Sequence, residues 1–203
     1  MKGDQIIDTI IRYVERKGIV TDESFLRRAQ LFDLFNQVKA DVLSQFMVKG
    51  IEITGGNYWE AVIDRAEYEQ ASTSFSYFEV PKVVMNSYEY VGGTDGCSQF
   101  RENLTRADFR NTVSQQVPKI TEYMKINNHL MVDNSTLPAI LVNAIPVNPM
   151  DWANYNFEFD EYPIDEALIN VVCDRMFQSY QSKAAQAPND TVSDSKETPK
   201  SIS

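Results

Sequence analysis

The chain has 203 residues and a mass of 23.2 kDa, the size of one compact domain with accessories. Hydrophobic residues make up 43% and charged residues 24%, close to ordinary globular usage, which excludes wholesale disorder. With 19 Lys+Arg against 29 Asp+Glu the net charge is −10, which disfavours a general nucleic-acid binder, and one His with two Cys removes most metal and nucleophile chemistry.

Two helices are predicted in the first fifty residues. Ile6, Ile7, Ile10, Ile11 and Val14 sit at helical spacing, and Gly18 follows as a stop. Thr21 reads as an N-cap, with Asp22 and Glu23 at the positive end of the dipole. Phe25, Ala29, Phe32, Phe35, Val38, Val42, Phe46 and Met47 then recur at three- or four-residue steps up to Gly50. A helix over 22–48 would be about 40 Å long, with a stripe broad enough to be contacted on more than one side.

The middle of the chain changes character. Ile51-Glu52-Ile53-Thr54, Phe75 to Val80 and Lys82-Val83-Val84 read as short strands separated by polar turns. Pro81 belongs at a break or a sheet edge, since it donates no ladder hydrogen bond. A helix over 105–116 is expected, capped by Thr105 and stopped before Pro118. Ile120 to Ile126, the pair Asn127-Asn128, and His129 to Val132 have the form of a two-residue hairpin, because Asn tolerates positive φ. Ala139 to Val147 is a further strand, and Tyr162-Pro163 opens the last helix, expected over 163–181 with Ile164, Leu168, Val171, Val172 and Met176 on its stripe. Residues 182–203 are rich in Ser, Thr, Lys, Asp and Pro. They read as an extended arm for which a partner would supply the missing burial. The expectation is therefore α+β: a helical bundle (a short N-terminal helix, a long second helix and a C-terminal helix) with β-sheet inserted within 51–147. Residues 1–181 form the domain and 182–203 the arm.

Charge is unevenly placed. Between Lys125 and Arg175 there is no Lys or Arg, while Asp133, Asp151, Glu158, Asp160, Glu161, Asp165, Glu166 and Asp174 all fall there. Asp4 and Asp8 sit where a signal peptide would carry its apolar core, and no stretch approaches the roughly 18 apolar residues of a membrane helix. Cys97 and Cys173, far apart and without CxxC spacing, read as free thiols of a protein made in a reducing cytoplasm.

No motif carries chemistry. His129 has no second His with which to share a metal and reads as an ordinary strand residue. The loop Gly92-Gly93-Thr94-Asp95-Gly96 lacks the GK[ST] ending of a phosphate cradle. The acids from Glu158 to Glu166 do not match a calcium loop, and they suit the N-terminus of the last helix. An enzyme would have to build a carboxylate site from Asp160, Glu161, Asp165 and Glu166. A nucleic-acid binder would have to use Arg12, Arg16, Lys17, Arg27 and Arg28, which read better as a solvated or partner-facing side. Neither an enzyme nor a cofactor is expected. The aromatic content points instead to interfaces, since Tyr and Trp bury large areas with a polar tip. The interface candidates are Phe25, Phe32, Phe35, Tyr58, Trp59, Trp152 and Tyr155.

The order of features, from Ser24-Phe25-Leu26-Arg27-Arg28 through Phe78-Glu79-Val80-Pro81-Lys82-Val83-Val84 and Asn127-Asn128-His129-Leu130-Met131-Val132 to Glu161-Tyr162-Pro163-Ile164, resembles the small head–tail adaptor or neck-ring proteins of tailed bacteriophages. It is most like those of crAss-like phages, and the likeness covers residues 1–181. The resemblance implies a structural virion protein of the neck, assembled in the bacterial host cytoplasm. Its copies, commonly twelve, would close into a homo-oligomeric ring that joins the portal protein to other neck and tail rings. DNA would pass nearby without being specifically bound, and no membrane would be involved. Glu158, Asp160 and Glu161 would then line the channel and repel phosphates. The alternative is a non-enzymatic binding module, a host-surface or cargo-binding β domain on a helical base.

Overall fold

The computed structural model describes residues 1–16, 28–66, 75–103, 120–133 and 136–186. The Gly18 stop, the Thr21 cap, Phe25, the helix expected over 105–116 and most of the arm lie outside these residues.

Helix α1 (Gly3–Arg16) and helix α2 (Arg28–Val48) form where the periodicity puts them. The end of α2 follows from one residue. Gly50 takes the left-handed φ of +67°, its N–H bonds to Met47 O at 3.0 Å, and Ile51 N–H bonds to Phe46 O at 2.9 Å. This is the Schellman closure that a glycine after the last turn permits. Helix α3 (Glu166–Gln186) starts three residues later than Pro163 suggested and runs past residue 181. Asp165 is its cap: Oδ1 accepts from Ala167 N–H at 2.9 Å, and Oδ2 accepts from Thr54 Oγ1 at 2.7 Å. Those bonds, the Thr54 one foremost, hold the Asp165 carboxyl below its ordinary range.

The expected helical bundle with an inserted sheet is not the frame of this molecule. Among the described residues there are seven strands in two sheets that enclose an apolar core of their own, so the β part is a layer beside the helices and not an insertion in a bundle. Strand β1 (Trp59–Asp64) was not foreseen, and β3 (Val83–Gly92) extends far beyond the three residues expected. Ile51–Thr54 is not a strand but the irregular exit from α2. The others are β2 (Ser76–Glu79), β4 (Arg101–Glu102), β5 (Glu122–Ile126), β6 (His129–Val132) and β7 (Ala139–Pro146). The β5–β6 hairpin turns at Asn127, whose φ is +55°.

One sheet has the order β1-β7-β3 and the other β2-β6-β5-β4, with β4 parallel to β5 and every other pair antiparallel. The sheets meet at both edges through single bridges, Arg65 with Phe78 and Gly92 with Gln99. The strands thus run round a nearly closed ring. Its interior is one apolar cluster that includes Ala61 and Ile63 from β1, Phe78 from β2, Leu130 and Val132 from β6, and Ile140, Val142 and Ala144 from β7, with Trp152 beneath. Left-handed φ angles at Met85 and Asn86 mark the bulge that bends β3 around this interior.

The three helices share a second core, in which Ile6, Ile10, Phe32, Phe35, Val172 and Met176 are buried. Leu43 of α2 packs with Val84 of β3 and Ile145 of β7 and seats the helical layer on the first sheet. Gly3 sets how closely α1 approaches the rest, because a Cβ there would overlap the Phe157 ring. Gly3→Ala is therefore expected to cost about 1–3 kcal/mol in urea unfolding, as overpacked sites do. In a Phe157→Ala background the same change should cost almost nothing, and an equal cost in both backgrounds would refute the close approach.

Candidate interaction site: the acidic loop and its aromatic anchors

Residues 152–165 lead from the sheets to α3 and carry half of the predicted site residues. All but one of their aromatic rings point inward, Phe159 being the exception. Trp152 is buried in the sheet core, and Tyr155 stands edge-on to Trp59 at 5.2 Å between centroids. Phe157 meets Phe32 edge-on at 5.1 Å. Tyr162 lies against Phe32 at 5.7 Å and Phe35 at 5.9 Å.

Between these anchors the backbone closes on itself. The Asn156 carbonyl accepts from Phe159 N–H at 3.2 Å and from Asp160 N–H at 2.8 Å. Asn156 Oδ1 accepts from Glu158 N–H at 3.0 Å, and Asn156 N–H donates to Asp160 Oδ2 at 2.6 Å. The structure thus brings Glu158, Asp160 and Glu161 onto one loop but gives them different work. The Asp160 carboxylate fastens the loop, whereas Glu158 and Glu161 are exposed. Phe159 between them is 70% exposed, with Lys2 Nζ 5.9 Å from its ring centroid. Glu161 sits 4.0 Å from the amino-terminal nitrogen, and Tyr162 N–H bonds to Met1 O at 2.8 Å.

Of the aromatic interface candidates, Phe32, Phe35 and Trp152 are buried within the chain, and Tyr58, Trp59 and Tyr155 are half-buried. Burial, reinforced by the nearby Asp160 charge, pushes the Tyr155 phenol up to about 12. Phe25 lies outside the described residues. The enzyme set divides in the same way: Asp160 and Asp165 each spend an oxygen on a backbone amide of their own segment. In the glycine loop, Asp95 Oδ1 accepts from the N–H groups of Cys97 and Ser98 at 3.0 and 3.1 Å, so the amides of a would-be phosphate cradle are already taken. Among the described residues no group of three His, Cys, Asp or Glu is placed to hold a metal ion, and no helix is long and apolar enough to cross a membrane. Burial raises the Cys173 thiol to about 11, and Cys97 is exposed.

A buried polar knot behind the loop was not foreseen. The Tyr162 hydroxyl donates to Asn36 Oδ1, Asn36 Nδ2 donates to Asn148 Oδ1 at 3.2 Å, and that oxygen also accepts from Met150 N–H at 3.1 Å. Lys39, fully buried, holds Nζ 4.6 Å from the Tyr162 ring centroid and has no hydrogen-bond partner among the described residues. The signal was present in the sequence, since Lys39 falls on the same stripe as Phe32, Phe35 and Val42. The chain matches no protein-family model and no curated protein sequence.

Desolvation lowers the Lys39 amine to about 7, and the ring face offsets part of the cost of its charge. A lowered amine destabilises the fold below its folded value. Between about pH 7 and pH 10 the unfolded chain holds a proton the folded chain lacks, so stability rises with pH. Above pH 10 the trend reverses, because Tyr162, held well above its ordinary value by burial, ionises first in the unfolded chain. Urea unfolding should show this rise, and Lys39→Met should remove it while stabilising the protein at pH 6 by about 2–4 kcal/mol. A flat profile in the parent protein would refute a neutral buried amine.

Proposed function

We propose that this protein is a structural virion component, one subunit of an oligomeric ring in a phage neck that joins the portal to the tail and surrounds the DNA channel. The observation that carries the reading is the loop 156–161. It is fastened by Asn156 and Asp160, backed by buried rings, and presents Glu158 and Glu161 in a stretch with no Lys or Arg. Carboxylates carried on a fastened loop at a channel wall would repel DNA phosphates and let the genome slide. Exposed apolar side chains at the end of α2, Val48 at 74% and Ile51 at 46%, suit packing against a neighbouring subunit. Portal subunits and adjoining neck or tail rings are the proposed partners, with a closed homo-oligomeric ring as the assembly.

Quantitative mass spectrometry of purified, DNA-filled particles tests this. A simple integer ratio to the portal protein is expected, and absence from the particle would end the reading. The channel assignment has its own test. Glu158→Gln with Glu161→Gln leaves the Asn156–Asp160 fastening intact and should slow genome ejection. Unchanged ejection kinetics would remove the carboxylates from the channel.

A further inference from the structure

Sheet edges that are neither paired nor covered are templates for another strand. Here the β1–β2 seam starts to pair and then stops. Arg65 bridges Phe78, and Ala66 N–H bonds to Tyr77 O at 2.8 Å. Continued in the same register, Ile63 would face Val80 and Val62 would face Pro81. Pro81 has no N–H to donate, so the ladder fails there. The two edges part around an open cavity of about 580 Å³, lined by Val62, Ile63 and Asp64 on one side and by Glu79, Val80, Pro81 and Lys82 on the other.

The free edge can be assigned residue by residue. Arg65 N–H bonds to Pro138 O at 2.8 Å, so the odd-numbered residues of β1 turn their backbone groups toward β7. Glu60 and Val62 therefore turn theirs outward, into the gap. Side chains follow the same alternation: Ala61 and Ile63 are buried, while Glu60, Val62 and Asp64 are exposed, Val62 at 41%. A strand laid along this edge meets an acid, an apolar residue and an acid on its outer face. Glu79 stands at the same end, and neither its carboxylate nor that of Asp64 has an ion-pair or hydrogen-bond partner among the described residues. On its inner face the incoming strand meets the apolar floor of Ile63 and Val80.

We propose that the gap between β1 and β2 is a docking slot for an extended segment of a partner protein, a strand that carries basic side chains at alternate outward positions and small apolar ones between. Main-chain bonds to Glu60 and Val62 supply affinity, and Asp64, Glu79 and Glu60 select the basic pattern. The slot does not depend on the neck-ring reading, and its test uses the isolated protein.

The probe is an acetylated, amidated pentapeptide of sequence Lys-Val-Thr-Val-Lys, titrated into the full chain and followed by amide hydrogen exchange. Saturable binding with slowed exchange at Val62 is expected, and a peptide with Glu in place of both Lys should bind at least roughly tenfold more weakly. Asp64→Lys with Glu79→Lys should reverse that preference, which an effect on folding alone would not do. Three results would overturn the proposal: equal binding of both peptides, binding that leaves Val62 exchange unchanged, and no saturation at millimolar peptide. A Val62 amide already protected in the free protein would also overturn it, in favour of an occupant from this chain itself.

Discussion

A phenol taken out of water must find an acceptor for its hydroxyl, or the burial costs more than the ring gains. Tyr162 meets this demand through a single route, Asn36 of α2, and Asn36 is steadied by Asn148 from the turn that follows β7. That chain of three side chains links the helical layer, the sheet and the segment entering α3. The rings of Phe32 and Phe35 close around it, and the Lys39 amine caps the ring face. Move Tyr162, and the helical core loses its central aromatic residue while the Asn36 amide loses its hydroxyl donor. With the Leu43 contact to Val84 and Ile145, this side chain sets how the helical layer lies on the sheets.

The acidic loop inherits its rigidity from the same place. Apart from the amino terminus beside Glu161, its carboxylates are placed by what lies on either side of them. Tyr155 and Phe157 anchor the entry, Tyr162 anchors the exit, and Asn156 and Asp160 close the backbone between. A surface with fixed negative charge and one bare phenyl ring is thus built from inward-facing aromatics, which is why the loop is both apolar in composition and acidic in effect. The β1–β2 gap is the opposite construction, an edge left open because a proline interrupts its ladder.

The helices were legible because their stripes are long and their stops are chemical. Ile6, Ile7 and Ile10 repeat at helical steps, and Gly50 ends α2 through a φ that other residues resist. The Asn127 turn and β7 were legible for similar reasons. Strand β1 was not, because Val62 points outward among acids and spoils the alternation that would have revealed Ala61 and Ile63 as the buried pair. Missing β1 and shortening β3 hid the first sheet, which is what made the β part read as an insertion. The aromatic candidates divide in a way composition does not show: Trp152, Phe32 and Phe35 face inward, whereas Tyr58, Trp59 and Tyr155 are half-buried. Lys39 could have been flagged, since a lysine on an apolar stripe must snorkel or be neutralised.

The pairing of the first residues with residue 161 has a consequence for synthesis. Lys2 bridges Glu161, and Tyr162 N–H reaches Met1 O. Strand β1 likewise finds its partner only in β7, some eighty residues later. A chain emerging from the ribosome can therefore cover part of the α1 stripe with α2, but the part that meets Tyr162 and α3 stays bare until those residues have been made. Contacts of such long range slow folding and prolong the exposure of sticky surface. The nascent chain, more than the finished protein, is the species that needs shelter from its neighbours.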